Sequence, residues 1–208
     1  MIMPNQKEHR NKKFKAEWIR KITMSKQALE VSKILDLKNK NVLEIACWVW
    51  HDSKFFEEQW AHVTATDISD YIIHENKKIF KESSIDFIEL DTKDIESYNF
   101  NKKFDLVFAS FALHYFDHNT TKKIIKSIYN IITKWWYLYI IVKSTNDKKY
   151  WIWEEIQKNI FIDKWHFIHL FNKEELESLL KDFKIFTMKE EKSVERDACF
   201  RKVIWQKI

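Results

Sequence analysis

Short apolar runs alternate with amphipathic segments along most of the chain. Segments with apolar residues every three or four positions predict helices, most clearly over residues 119–133, where isoleucines form one stripe. The apolar runs between the helices are short and bounded by polar residues, as in buried strands. They predict five strands, at residues 41–46, 62–66, 85–90, 104–109 and 137–143.

The pattern continues towards the end of the chain. Asn172 and Glu175 form a variant of the capping box that opens a helix. Residues 184–188 and 199–206 can form two closing strands. Alternation of strands and helices is typical of an α/β fold, here a three-layer sandwich. We therefore predict a mostly parallel seven-stranded sheet with helices on both faces and a closing antiparallel strand.

Two segments depart from this alternation. Residues 1–23 form a basic N-terminal extension that we expect to be frayed or helical. Residues 24–208 are expected to form one domain, which is a usual domain length. Within it, residues 144–171 look irregular, and we expect them to fold over the site as a substrate lid.

Charge and cysteine content restrict the class of protein. The net charge of +5 is explained by a lysine-rich solvated surface and does not by itself predict a nucleic-acid partner. Cys47 and Cys199 are too few for a disulfide framework, which favours a reducing compartment. The apolar run 131–142 contains Lys134 and is too short to span a bilayer. The sequence therefore predicts a cytoplasmic protein without a membrane partner or a signal peptide.

The chain contains no glycine and ten tryptophans. Glycine averages about 7 % of residues and serves positions with positive φ or close backbone approach. Several tryptophans stand where glycine is usual: Trp48 and Trp50 in the turn after the first strand, Trp60 at a helix-to-strand junction, and Trp135-Trp136 before the fifth strand. We interpret most of them as glycines in the native protein. In this interpretation, a codon that means glycine in the source organism has been translated as tryptophan in this sequence. Trp18 and Trp205 stay open as genuine indoles.

With glycine at positions 48 and 50, the first turn reads LEIACGVGHDS, and Asp52 or Ser53 can cap the helix that follows. This stretch resembles motif I of the class I S-adenosylmethionine-dependent methyltransferases. Glu44 matches the acidic residue of that motif, and Ala46, Trp48 and Trp50 match its turn. The resemblance implies a Rossmann-like fold and a turn that lies against the methionine portion of the cofactor. The alternative for Glu44 is a capping or surface carboxylate.

Later segments match the same family. Asp67 ends the second strand, where a carboxylate can accept hydrogen bonds from both ribose hydroxyls; the alternative is a helix cap. The resemblance implies that Asp91 and Thr92 contact the adenine, with Asp94 as a competitor. The stretch FDLVFASFALHYF is similar to motif IV and implies that Ser110 lies beside the cofactor. The resemblance covers residues from about 41 to 142.

The acceptor side is less defined by the sequence. His114 and Tyr115 can orient or deprotonate an acceptor, or can be structural residues. Tyr150, His166 and His169 lie in the expected lid. No third ligand with suitable spacing accompanies the two lid histidines in the sequence, so we predict no metal site.

The sequence therefore predicts an S-adenosylmethionine-dependent methyltransferase with a small-molecule acceptor. An RNA or protein acceptor is the alternative within the same chemistry. A nicotinamide-dependent dehydrogenase also uses a glycine-rich turn, but Ser53 stands where its third glycine is required. If Trp48 and Trp50 are genuine, their indoles fill the cleft, and the chain is a scaffold that binds no cofactor.

Overall fold

The computed structural model describes residues 6–17, 24–147, 153–163, 166–193 and 198–208. The chain divides into two compact units, Met1–Phe108 and Ala109–Ile208. Trp18, Tyr150, Trp151 and Trp165 lie outside the described residues, as does the side chain of His166. No helix in the described part of the chain combines the length and apolar character that crossing a bilayer requires.

The first unit consists of helices and parallel strands in alternation. Its elements are α1 (Gln6–Glu17), α2 (Lys26–Ile34), β1 (Asn41–Ile45), α3 (His51–Glu58), β2 (His62–Asp67), α4 (Asp70–Ile79), β3 (Asp86–Glu89), a 3-10 helix (Thr92–Asp94) and most of β4 (Phe104–Ser110).

The second unit is richer in antiparallel strands. It contains a 3-10 helix (Leu113–Tyr115), α5 (His118–Ile131), β5 (Ile132–Lys143), β6 (Glu154–Gln157), β7 (Ile160–Asp163), β8 (His166–His169), α6 (Lys173–Leu179), β9 (Lys184–Ser193) and β10 (Ala198–Gln206).

One seven-stranded sheet has the strand order β3-β2-β1-β4-β5-β10-β9. Strand β1 pairs in parallel with β2 and with β4, and β2 pairs in parallel with β3. Strand β10 pairs antiparallel with both β5 and β9. The predicted fold class, a mostly parallel seven-stranded sheet with a closing antiparallel strand, is confirmed.

Local capping follows the sequence in α4 and α6 but not in α3. The side chains of Ser69 and Asn172 accept the expected hydrogen bonds from the backbone, at Ile72 and Glu175. The predicted cap of α3 by Asp52 or Ser53 is wrong, because α3 begins at His51 and has no side-chain cap bond. A short-range pattern cannot reveal the distant partners that these two side chains have instead.

Those partners tie α3 to neighbouring elements of the first unit. The carboxylate of Asp52 accepts hydrogen bonds from the backbone N–H of Ser25, at 2.6 Å, and from its hydroxyl, at 2.7 Å. The hydroxyl of Ser53 donates to the carboxylate of Glu44 on β1. The start of α3 is thereby fixed to α2 and β1 through side chains.

The expected irregular segment 144–171 contains a three-stranded antiparallel sheet, β6-β7-β8, so that expectation is wrong for the described residues. Each of these strands has only four residues, too few for an alternating pattern to stand out. Strand β5 also begins earlier than predicted. It includes Trp135 and Trp136, because the backbones of these residues bond to the N–H and carbonyl of Lys207.

Candidate cofactor site

The turn after β1 has a backbone that favours glycine. Ala46 has a φ of 57° and Trp48 a φ of 46°, both in the left-handed region. The N–H of Cys47 donates to the carbonyl of Thr66 at 2.8 Å, and the N–H of Trp48 donates to Oδ2 of Asp67 at 3.1 Å. These bonds fasten the turn to the end of β2.

Asp67 is only 4 % exposed and lies at the end of β2. Its Oδ1 accepts a hydrogen bond from the N–H of Ser69 at 2.9 Å, and Ser69 itself supplies the side-chain cap of α4. Burial raises the pKa of Asp67, even though this bond and the positive charge of Arg10 act in the opposite direction. Burial therefore favours the neutral form of this carboxyl.

The end of β3 lies beside Asp67. The N–H of Leu90 donates to the carbonyl of Asp67 at 2.9 Å. Asp91 then caps a 3-10 helix by accepting from the N–H of Lys93 at 3.2 Å, and it also pairs with the Lys93 ammonium at 2.7 Å. Thr92 is buried in the same 3-10 helix. The residues that the resemblance assigns to ribose and adenine are thus neighbours in the first unit.

Glu44 is 5 % exposed, which rules out its alternative as a surface carboxylate. Burial and the negative charge of Asp52 raise the pKa of Glu44 well above its ordinary value. Burial likewise raises the pKa of the Cys47 thiol, helped by the charge of Asp67. Burial therefore favours the neutral forms of both groups.

These shifts predict how stability depends on pH. Folding raises the pKa of the carboxyl groups of Glu44 and Asp67. Such a group stabilises the folded state fully at a pH below its pKa in the unfolded chain. This stabilisation is lost as the pH rises from that value through the higher pKa of the folded protein. The free energy of unfolding of the parent protein, relative to that of Glu44→Gln, should therefore fall as the pH rises above the ordinary pKa of a glutamate carboxyl.

Urea unfolding at several pH values measures this slope. Glu82→Gln, at an exposed position of the same unit, is the control and should leave the slope unchanged. A Glu44→Gln slope identical to that of the parent protein would contradict the expectation.

Helix α1 packs against the same turn, which the sequence did not indicate. Phe14 is 2 % exposed and forms a cluster with Val49 of the turn and Ile72 of α4. Asn11 accepts from the Ser69 hydroxyl at 2.5 Å and donates to Asp70 at 2.7 Å. The basic extension is therefore helical over the described residues and lies at the turn. A single phenylalanine among charged residues gave no periodic signal.

Ser110, predicted to lie beside the cofactor, and the acceptor candidates His114 and Tyr115 lie in the second unit. Ser110 ends β4, and the left-handed residue of the following turn is Phe111, with a φ of 55°. His114 is buried in the 3-10 helix, and its ring lies 4.2 Å from that of Tyr115. Tyr115 packs against the side chains of Phe161 and Ile168. Tyr115 therefore contacts the structure built from the segment expected to be a lid, and His114 contacts Tyr115.

His169 is held by two oxygen atoms. Its Nδ1 lies 3.0 Å from the carbonyl of Phe116, and its Nε2 lies 2.9 Å from the carboxylate of Glu175. Burial acts to raise the pKa of Glu175, but hydrogen bonds from His169 and His118 outweigh it and lower that pKa. Within the described ranges, no group of three suitable side chains is placed to hold a metal ion.

Two further tryptophans have the backbone of glycine. Trp60 has a φ of 64° and is 75 % exposed. Its N–H donates to the carbonyl of Glu57 at 2.8 Å, and the next N–H donates to the carbonyl of Phe56 at 3.2 Å. This pair of bonds ends a helix at a left-handed residue, usually glycine. Trp135 has a φ of 71° and is also exposed, whereas Trp205 is 1 % exposed.

The first unit combines a parallel sheet, a turn with left-handed residues after β1 and a buried acid at the end of β2. This combination is typical of α/β proteins that bind a nucleotide cofactor. The family described as "Methyltransferase domain" matches residues 42–134. This span lies within the resemblance predicted from the motifs. The motifs and this match together support a class I S-adenosylmethionine-dependent methyltransferase, with S-adenosylmethionine as the cofactor.

Individual relatives agree with this assignment. Malonyl-[acyl-carrier protein] O-methyltransferase of Acetivibrio thermocellus is 30 % identical over 110 residues, which are 50 % of this chain. The aligned residues span only 38 % of the length of that relative.

Solved structures show the same fold. A SAM-dependent methyltransferase from Methanosarcina mazei superposes with a TM-score of 0.73 at 18 % identity, over 90 % of this chain and 99 % of that one. The 1,6-didemethyltoxoflavin-N1-methyltransferase of Burkholderia thailandensis, solved with 1,6-didemethyltoxoflavin and S-adenosylhomocysteine, has a TM-score of 0.74 at 13 % identity. That superposition covers 100 % of this chain and 91 % of the other.

Proposed function

We propose that this protein transfers the methyl group of S-adenosylmethionine to a small-molecule acceptor. The observation that carries the proposal is the left-handed turn after β1, fastened through Trp48 to the buried carboxylate of Asp67. The structural neighbour from B. thailandensis, a methyltransferase solved with 1,6-didemethyltoxoflavin bound, supports this acceptor class. The relative from A. thermocellus, whose name specifies an acyl-carrier protein, makes a carrier-bound acceptor the alternative.

The reaction is a direct displacement at carbon. An electron pair of the acceptor attacks the methyl group in line with the carbon–sulfur bond, and that bond breaks as sulfur takes its electron pair. The products are the methylated acceptor and S-adenosylhomocysteine, and an N–H or O–H acceptor also releases a proton. Positioning supplies much of the rate of such a step. The buried carboxyl of Asp67 lies at the turn where the cofactor is proposed to bind, and a cation bound there favours its charged form.

We propose that residues from the second unit receive the acceptor. His114 and Tyr115 orient it or take its proton. Residues 144–171 act as a substrate lid, a proposal supported by the packing of Tyr115 and Trp153 against the cluster of Phe161, Ile168 and Leu170.

We also propose that glycine occupies positions 48, 50, 60 and 135 in the native protein, inside a single methyltransferase domain of residues 24–208. The left-handed φ values at 48, 60 and 135 support this assignment. Peptide mass spectrometry of protein from its source organism tests it, and indole masses at 48 and 50 would contradict it. The buried free thiols of Cys47 and Cys199 support a cytoplasmic location.

Acceptor screening tests the reaction. The protein with glycine at 48 and 50 is incubated with S-adenosylmethionine and a panel of small metabolites, and S-adenosylhomocysteine is measured. Turnover only with RNA, together with RNA binding that weakens steeply with salt, would overturn the acceptor class. Calorimetry with NAD in place of S-adenosylmethionine tests the dehydrogenase alternative.

Asp67 gives a more direct prediction. In the protein with glycine at 48 and 50, Asp67→Asn should weaken S-adenosylmethionine binding by about 10- to 100-fold, because hydrogen bonds to a charged group contribute about 1.5–3 kcal/mol. Isothermal calorimetry measures the change. Asp86→Asn, at an exposed position on β3, is the control and should bind as the parent does. Unchanged affinity in Asp67→Asn would remove this residue from the site.

A further inference from the structure

Helix α4 carries a buried amide on its apolar face. Asn76 is 0 % exposed, on the same helix as the buried residues Ile72 and Ile73. Its Nδ2 donates to the backbone carbonyl of Trp48 at 3.0 Å. Its Oδ1 has no hydrogen-bond partner among the described residues. A buried amide whose hydrogen bonds are only half made is unfavourable, so stability alone does not explain this residue.

The bond from Asn76 fixes the orientation of one peptide group in the turn. The N–H of Trp48 is held by Asp67, and the carbonyl of Trp48 is held by Asn76. In a planar trans peptide, the carbonyl and the N–H point in opposite directions. Because the carbonyl of the 48–49 peptide points towards α4, the N–H of Val49 points away from α4.

We propose that Asn76 is a positioning residue for the amino-acid portion of the cofactor. By holding the 48–49 peptide, it directs the N–H of Val49 towards the carboxylate of the bound cofactor. The inference rests on the proposed function, which places the methionine portion against this turn. A glycine at position 48 increases the need for such a clamp, because glycine populates both signs of φ and lets the peptide flip.

Two ligands separate positioning from simple loss of structure. S-adenosylhomocysteine carries the amino-acid portion, whereas adenosine lacks it. In the protein with glycine at 48 and 50, Asn76→Leu should weaken S-adenosylhomocysteine binding by about 10-fold or more, while the affinity for adenosine stays within about 2-fold. The urea midpoint of the variant should change little, since leucine removes the unmet Oδ1 but also leaves the carbonyl of Trp48 without its amide donor.

Thr64→Val is the matched control, because Thr64 is buried on β2 and its hydroxyl also has no hydrogen-bond partner in the described residues. It should leave both affinities unchanged. Equal losses for both ligands in Asn76→Leu would assign Asn76 a merely structural role, and unchanged S-adenosylhomocysteine binding would remove it from the site.

A second measurement does not depend on any Asn76 variant. In ¹⁵N NMR spectra of the glycine-containing parent, the Val49 amide proton should move on addition of S-adenosylhomocysteine and stay in place with adenosine. If other signals show that both ligands bind but the Val49 amide signal does not move, the inference is overturned and the proposed function is not. A parent that binds neither ligand overturns the proposed function and the inference with it.

Discussion

Replacing Trp48 and Trp50 by glycine should convert a protein with no measurable affinity for S-adenosylmethionine into one that binds it. The backbone at position 48 is left-handed, at a φ of 46°, and both indoles occupy the turn against which the cofactor is proposed to lie. The Trp50 ring packs 4.6 Å from that of Phe80, so its removal also frees space beside α4. A micromolar dissociation constant, about −8 kcal/mol, is expected for the double variant.

Isothermal calorimetry with both proteins measures the difference. Trp60→Gly is the matched control, because it removes another exposed, left-handed tryptophan from the same unit but lies at the far end of α3. The Trp60→Gly variant should, like the parent protein, show no measurable binding of S-adenosylmethionine. Equal affinities of the parent and the double variant would show that the indoles do not obstruct the cofactor.

Glycine substitutions at other tryptophans should change stability in opposite directions. Trp60→Gly and Trp135→Gly should each raise the free energy of unfolding by about 0.5–1 kcal/mol. Relief of a left-handed conformation is worth about 1–2 kcal/mol and exceeds the added entropy of the unfolded chain. Trp205→Gly should instead lower it by about 3–5 kcal/mol, because Trp205 is 1 % exposed within β10 and its removal leaves a cavity.

Urea denaturation of the three single variants tests this contrast. Trp205→Phe, which keeps most of the buried ring, should recover much of the stability lost in Trp205→Gly. We distinguish Trp60 and Trp135, as positions of native glycine, from Trp205, as a genuine tryptophan. This distinction would be contradicted if Trp205→Gly stabilised the protein or if all three glycine substitutions destabilised it.

The repeating part of the fold was predictable because its signal is strong and local. Strands β1, β2 and β4 are largely buried, β1 and β4 are rich in apolar residues, and α5 carries a full stripe of isoleucines. The left-handed positions 48, 60 and 135 were also predictable, because each lies at a junction where glycine normally allows the chain to turn.

The features that sequence reasoning missed depend on distant partners. Asp52 looks like a local cap, yet its partner is Ser25, 27 positions earlier in the chain. Asn76 looks like a polar interruption of an apolar stripe, and its bond to Trp48 spans 28 positions. Periodicity reports which face of an element is buried, but it does not report which distant backbone group a polar side chain meets there.

The packing of α1 has a practical consequence for recombinant work. A shortened protein that starts at Met24 would retain the residues that match the family but would leave Val49 and Ile72 without Phe14 above them. Newly uncovered apolar surface of this kind promotes self-association. Preparations intended for crystallisation or ligand titration should therefore begin before Gln6, with purification tags placed after Ile208.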